Sequence, residues 1–288
     1  MATAGTKKVV ALLGSRRKGN TLRLVTDLRT QLSALDVEVS IHNLYDYKVH
    51  DCTGCQRCIF GKSCGLRDER DVLMDEMRAA DGIVLAAPIY MDHVPGRMKS
   101  FIDRTCKWFH RPELVGRPLM TLATTAGSGL SSTLDYMEKV GIRWGAFPTS
   151  RVGRTALNVQ EPLSQKDYRA FVEHLWKPKH EYVPSLRQLM SFRVQHILAE
   201  VLFPVDEQFW REHGFLGQPY YFPCRINPLK RAVSASFHRY LRRKMHAARA
   251  RRGGTALVDA PDSSIVTLSA RSHNDNARDP ARASREAR

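Results

Sequence analysis

No stretch of about 18 uninterrupted apolar residues occurs in the chain, so no transmembrane helix is expected. The apolar run after Lys8 is only five residues long and meets Gly-Ser-Arg-Arg, which does not fit a secretory signal. A cytoplasmic location is expected. Acidic residues are missing between Glu212 and Asp259, where ten lysines or arginines occur. From Asp259 onward five acids offset five arginines, so the first 212 residues carry +6 of the net charge of +16. The basic excess therefore belongs to a C-terminal stretch and not to the N-terminal part. The six cysteines are not spread as a disulfide framework would be. Four of them fall within thirteen residues, Cys52 to Cys64, which in a cytosolic chain points to metal binding or redox chemistry. No nicotinamide-specific motif stands out.

What the chain does have begins at Lys7. Two lysines lead into Val9-Val10-Ala11-Leu12-Leu13, then Gly14-Ser15-Arg16-Arg17-Lys18-Gly19-Asn20-Thr21, then a helical pattern with Leu24, Leu28 and Leu32. Strand, short polar loop and helix form the layout of a phosphate cradle. Backbone N–H groups and the positive end of the helix dipole point at the anion. The spacing approaches a nucleoside-triphosphate loop, but Asn20 stands where the lysine for the β/γ-phosphates belongs. That argues against a triphosphate and leaves room for a monophosphate.

Hydrophobic residues make up 43% of the 288 residues, enough for a packed core. Val37 to Ile41 alternates as a second strand, and Asp71 to Ala80 reads as a helix. Gly82 to Ala87 is the continuous apolar run of a parallel strand buried on both faces. Gly96 to Cys106 is a helix, Pro118 to Ala126 a strand, Ser131 to Val140 a helix, and Ile142 to Val152 holds the fifth strand. Ser164 to Trp176 is the last helix of the series. Five strands alternating with helices make an open parallel sheet, α/β and doubly wound. Pattern alone leaves the strand order open. With the order 2-1-3-4-5, ligands belong at the carboxyl ends of strands 1, 3 and 4. Those ends carry Gly14–Thr21, Ala87–His93 and Thr124–Gly129.

The texture changes near Pro178. Glu181 to Phe203 contains helix, Asp206 to Asn227 is aromatic and turn-rich, and Pro228 to about Arg251 reads as a basic helix with Leu229, Val233, Phe237, Leu241 and Met245 spaced by four. Three regions are therefore expected: a ligand-binding domain over 1–178, a helical, aromatic and basic extension over 179–252, and a disordered tail over 253–288. The basic helix is expected to pack its apolar stripe on the domain or on a second subunit. Peripheral contact with an anionic membrane stays open, and nucleic acid is not expected as a partner.

Several motifs in this order resemble a flavodoxin-fold NAD(P)H-dependent FMN reductase, specifically the iron–sulfur flavoprotein branch. They are Gly14 to Thr21, Cys52-x2-Cys55-x2-Cys58-x5-Cys64, Ala79-Ala80-Asp81-Gly82-Ile83, Pro88-Ile89-Tyr90-Met91 and Met98 to Arg104. They cover residues 7–150. The resemblance implies a flavodoxin-like five-stranded sheet of order 2-1-3-4-5. It implies FMN, with its phosphate held by Ser15, Arg17, Asn20 and Thr21. Pro88, Ile89, Tyr90 and Met91 would then lie along the isoalloxazine, and Thr125 and Gly127 would close the other side. It also implies NAD(P)H as donor, a quinone, nitro or azo compound, free flavin or redox protein as acceptor, and a homo-oligomer.

For the cysteine loop the spacing fits one [4Fe–4S] cluster on Cys52, Cys55, Cys58 and Cys64, each thiolate reaching a different iron. Free or redox-active thiols stay open, and zinc fits less well because its sites usually use two separated pairs. Cys106 and Cys224 stand alone, and Cys106 is expected in the core. His93 reads as a solvated loop histidine. No catalytic acid or base is required, since the cofactor carries the chemistry. Two other classes remain: a flavodoxin-like electron carrier without its own turnover, against which the basic charge speaks, and a zinc- and nucleic-acid-binding module.

Overall fold

A computed structural model describes residues 5–251. The predicted tail over 253–288 lies outside the described residues. Five parallel strands, β1 (Lys7–Leu13), β2 (Val37–Asn43), β3 (Gly82–Pro88), β4 (Pro118–Thr124) and β5 (Phe147–Arg154), form one sheet of order β2-β1-β3-β4-β5. The expected flavodoxin-like order is the one observed. β3 and β4 are almost wholly buried, as central parallel strands with helices on both faces must be.

Side chains alternate along each strand, so each strand feeds two cores. Val10, Leu12, Ile83, Leu85 and Leu119 face one layer. It is built from α2 (Arg70–Ala79), α3 (Gly96–Arg104), α4 (Lys107–His110) and α5 (Leu130–Arg143). Val9, Ala11, Leu13, Val84, Ala86 and Leu122 face α1 (Asn20–Ser33) and α6 (Gln165–Trp176). The leucines at 24, 28 and 32 are all fully buried on that side, because four-residue spacing keeps them on one helix face. Ile142 belongs to α5 and not to the fifth strand. Gly145, at φ +88, turns the chain before β5 begins at Phe147.

Beyond α6 the chain forms α7 (Leu186–Val201), α8 (Pro204–Glu212) and α9 (Pro228–Arg251). Ser185 and Gln188 close a capping box at the start of α7. A third core gathers Phe192 of α7, Trp210 of α8 and the aromatics Phe215, Tyr220, Tyr221 and Phe222 around Phe147 of β5. The stretch read as turn-rich thus contains a helix, α8, begun by Pro204 at its first turn, where a missing N–H costs nothing.

α9 packs on α7 through only part of the expected stripe, with Phe237, Leu241 and Met245 half-buried. Ser234 is its buried residue, while Leu229 is 73% exposed and Val233 is exposed. A four-residue step overshoots one helical turn by about 40°. The stripe from Leu229 to Met245 therefore winds around the helix, and only its later residues come to the contact face. Among the described residues no helix is long and apolar enough to cross a membrane.

Candidate functional site

At the carboxyl edge of the sheet a cavity of about 390 Å³ opens between the loops after β1, β3, β4 and β5. This lies within the range of small-molecule and cofactor pockets. Ser15, Arg17, Asn20 and Thr21 line it from the first loop, Pro88, Ile89 and Tyr90 from the second, and Thr125 from the third. Met91 and Gly127 are not among the lining residues. The Met91 side chain is 98% exposed at the tip of a turn, and open space surrounds Gly127.

The first loop is shaped by its own polar groups. The Ser15 hydroxyl donates to the Arg17 carbonyl at 2.9 Å, and the Asn43 side-chain amide donates to the Ser15 carbonyl at 2.8 Å. α1 starts after Gly19 with no side-chain cap and no acid in its first turn. Its leading N–H groups and positive dipole end therefore remain available for an anion. The buried Thr21 hydroxyl meets that of Thr124 at 2.7 Å, which ties the start of α1 to the end of β4.

The second loop is a tight turn. Tyr90 and His93 exchange two backbone hydrogen bonds, of 2.9 and 3.1 Å, across Met91 and Asp92, which both sit at positive φ. The N–H of Ile89 donates to the Thr124 carbonyl at 2.9 Å. The amides of Ile89 and Tyr90 are thus spent internally, which leaves side chains to face the cavity from this loop. His93 is not simply solvated, since its ring packs edge-on against Tyr136 at 4.3 Å.

Asp92 joins the second loop to the third. Its carboxylate accepts from the Ser128 hydroxyl, and its carbonyl accepts from Thr133 at 3.3 Å. Gly129 sits beside it at φ +80, where a Cβ would lie 2.6 Å from the Asp92 Cα. Only glycine fits there. Sequence reasoning missed the fourth wall, made by Ala156 and Val159 after β5. Arg23 of α1 donates to the Val159 carbonyl, but this loop carries no motif that would have marked it.

The cysteine loop lies between β2 and α2. Gly61, at φ +79, turns the chain where a Cβ would reach 2.8 Å from Val205 of α8. Cys52 is exposed, while Cys55, Cys58 and Cys64 are half-buried. Three arginines converge on them. Arg104 donates to the Cys64 Sγ at 3.5 Å and holds Asp68 in a buried ion pair at 2.5 Å. Burial alone would raise the Asp68 carboxyl, but Arg104 and the N–H groups of His50 and Arg70 hold it below its ordinary value.

Arg111 donates to the carbonyls of Cys58 and Ile59 and pairs with the fully buried Asp206 of α8. His110 reaches the same carboxylate at 2.9 Å. The Cys58 thiol is lowered to about 6, first by a hydrogen bond from Cys106, then, against the desolvation that opposes it, by Arg70 and Arg111. Cys106 is therefore neither isolated nor simply core. It is half-buried against Cys58, and that contact first, then burial, pushes its own thiol up.

A positive, hydrogen-bonding surround of this kind favours thiolates, the form that binds iron. α3 links the two features. Its start follows the cavity's second loop, while Arg97 donates to the Val49 carbonyl at 2.8 Å and Ser100 donates to Asp51 at 2.5 Å.

Residues 7–155 match the family model described as NADPH-dependent FMN reductase. The chain is 30% identical over 222 residues to an iron–sulfur flavoprotein of Archaeoglobus fulgidus, covering 73% of this chain and 100% of that one. It is 24% identical over 227 residues to an iron–sulfur flavoprotein of Clostridioides difficile, 72% of this chain and 99% of that one. A quinone reductase of Escherichia coli is 29% identical over 121 residues, 42% of this chain and 61% of that one.

Proposed function

Since the chain belongs to the NADPH-dependent FMN reductase family, and is thereby an FMN-dependent oxidoreductase, we propose that it draws electrons from NAD(P)H and delivers them to a small-molecule acceptor. In this reading Cys52, Cys55, Cys58 and Cys64 would hold a [4Fe–4S] cluster, which would supply single-electron transfer. The observation that carries it is the convergence of three switch-point loops and an uncapped helix N-terminus on one cavity.

FMN supplies the exchange between two-electron and one-electron chemistry. Asn20, Thr21 and the first N–H groups of α1 hold its phosphate, and Arg17 adds charge. Ser15 gives up its bond to Arg17 if it is to join them. Pro88, Ile89 and Tyr90 flank the ring on one side. Thr125 borders it on the other, with the open space at Gly127 leaving room for close approach. Met91, at the exposed tip, lies where an acceptor or a second copy of the chain would approach.

At the cysteine loop Arg70, Arg104 and Arg111 offset the negative charge of the thiolates. They fit a thiolate-ligated group without supplying ligands themselves. Residues 1–178 form the proposed flavin domain and 179–252 the proposed extension.

Protein purified without oxygen tests this reading through its visible spectrum, with iron and acid-labile sulfide assayed. Flavin bands with broad absorption near 400 nm and about four irons per chain are expected. Flavin without iron would return the loop to thiol chemistry. No flavin uptake, even with added FMN, would overturn the reading. Arg17→Ala should weaken FMN binding about tenfold by fluorescence titration, the worth of one charge-assisted contact.

A further inference from the structure

A second cavity, of about 640 Å³, lies between α7, α8 with the turn after it, and α9, away from the flavin loops. It is bordered by four arginines and two acids, and both acids are already matched. Glu200 pairs with Arg242 at 2.6 Å, and Glu207 pairs with Arg211 at 2.5 Å. Arg193 and Arg231 remain. Among the described residues neither has a carboxylate within ion-pair distance. Arg193 is only 8% exposed, and its Nε has no hydrogen-bond partner.

Two imidazoles share this wall. His196, 6% exposed, donates through Nε2 to the Leu216 carbonyl at 3.0 Å, and its Nδ1 makes no hydrogen bond but faces the Glu200 carboxylate at 3.8 Å. His238 receives Arg193 at Nδ1 at 3.5 Å, and its Nε2 is buried and unpartnered. A buried guanidinium without a counter-ion is costly, because its cation–π contact with the Phe192 ring, at 5.6 Å, repays little of the desolvation.

We propose that this cavity is an anion-binding site that takes a phosphate-bearing ligand between Arg193, Arg231 and His238. The phosphate would lie against the Arg193 and Arg231 guanidiniums and supply the counter-ion that both lack, and the closed-off Arg193 Nε–H and His238 Nε2–H become its donors once their side chains turn toward it. The apolar rim of Leu216, Pro219 and Ala235 suits an organic substituent on the phosphate.

A metal ion is the competing occupant, since His196, Glu200 and His238 offer ligand atoms within 4.8 Å of one another. The charge decides against it. Two unmatched guanidiniums repel a dication, and Glu200 is already held by Arg242. The phosphate can come from a soluble metabolite or from a lipid headgroup, because the outer side of α9 exposes Leu229 and Val233 beside its basic residues.

The test uses full-length protein loaded with FMN, so that the flavin phosphate loop is filled. Inorganic phosphate and glycerol phosphate are titrated calorimetrically. Sedimentation is measured with phosphatidylcholine vesicles, with and without phosphatidic acid. Saturable binding in either arm is expected, and which arm binds identifies the source.

Arg193→Met and Arg231→Ala should each weaken binding about tenfold or more, while Arg243→Ala, outside the cavity, should not. Arg193→Met should leave the melting temperature unchanged or raised, since it removes an unpaired buried charge. A purely structural arginine would show the opposite. Absence of binding in both arms, or equal binding by the wild type and both cavity variants, would overturn the proposal. So would one zinc per chain that is lost in His238→Ala and kept in Arg193→Met.

Discussion

At Cys106 the fold supplies a neighbour that lies 48 positions away in the chain, and that neighbour's chemistry changes with it. The hydrogen bond from Cys106 is the largest influence holding the Cys58 thiol at about 6. Because the shift is downward, Cys58 is a thiolate above that pH and a thiol below it. Removing the donor moves the change upward, toward the ordinary value of 9.0. In cluster-free protein, site-resolved alkylation of Cys58 should therefore lose its low-pH inflection in Cys106→Ala. An inflection that stays near 6 would assign the effect to Arg70 and Arg111 instead. The spacing of Cys52, Cys55, Cys58 and Cys64 is written in consecutive residues and was legible. Cys106 was not, since a lone cysteine on a helix shows nothing of what the helix faces.

Among the elements, the sequence concealed α8, as it did the single-turn α4. α8 is nine residues long and aromatic, and it lies in a stretch dense with turn-forming residues. Its Asp206 holds both His110 and Arg111, and Arg111 in turn holds the Cys58 carbonyl. α8 thereby acts as a brace behind the cysteine loop. Asp206→Ala leaves a buried guanidinium unpaired and should cost about 3–5 kcal/mol in chemical denaturation. It should also lower the iron retained per chain. Full stability in this variant would mean that water replaces the carboxylate and that the brace is dispensable. α1 and its loop were legible by contrast, because strand, loop and helix are contiguous and their leucines repeat at helical spacing.

For the whole molecule, the extension shares its aromatic core with Phe147 of β5. Gln195 of α7 also donates to the carbonyls of Phe109 and Arg143, at 2.6 and 2.9 Å. A chain ending at residue 178 would expose that surface. It should aggregate on size-exclusion chromatography or melt well below the full-length protein. A monomeric 1–178 fragment with an unchanged melting temperature and bound FMN would show instead that the flavin domain stands alone.

The parallel α/β sheet could be read from the sequence by itself, because its determinants are short-range. Continuous apolar runs mark central strands, four-residue leucine repeats mark helix faces, and glycine and threonine mark the strand ends where a cavity opens. The strand order came from the resemblance, and the sheet pairing then displayed it. Only the tertiary structure decided which distant side chains meet. Arg111 and Asp206 are 95 residues apart, Thr21 and Thr124 are 103 apart, and Arg193 and His238 are 45 apart. Such pairs leave no periodicity in the chain. Their positions are set by how the layers pack, and their energies by the burial that packing imposes.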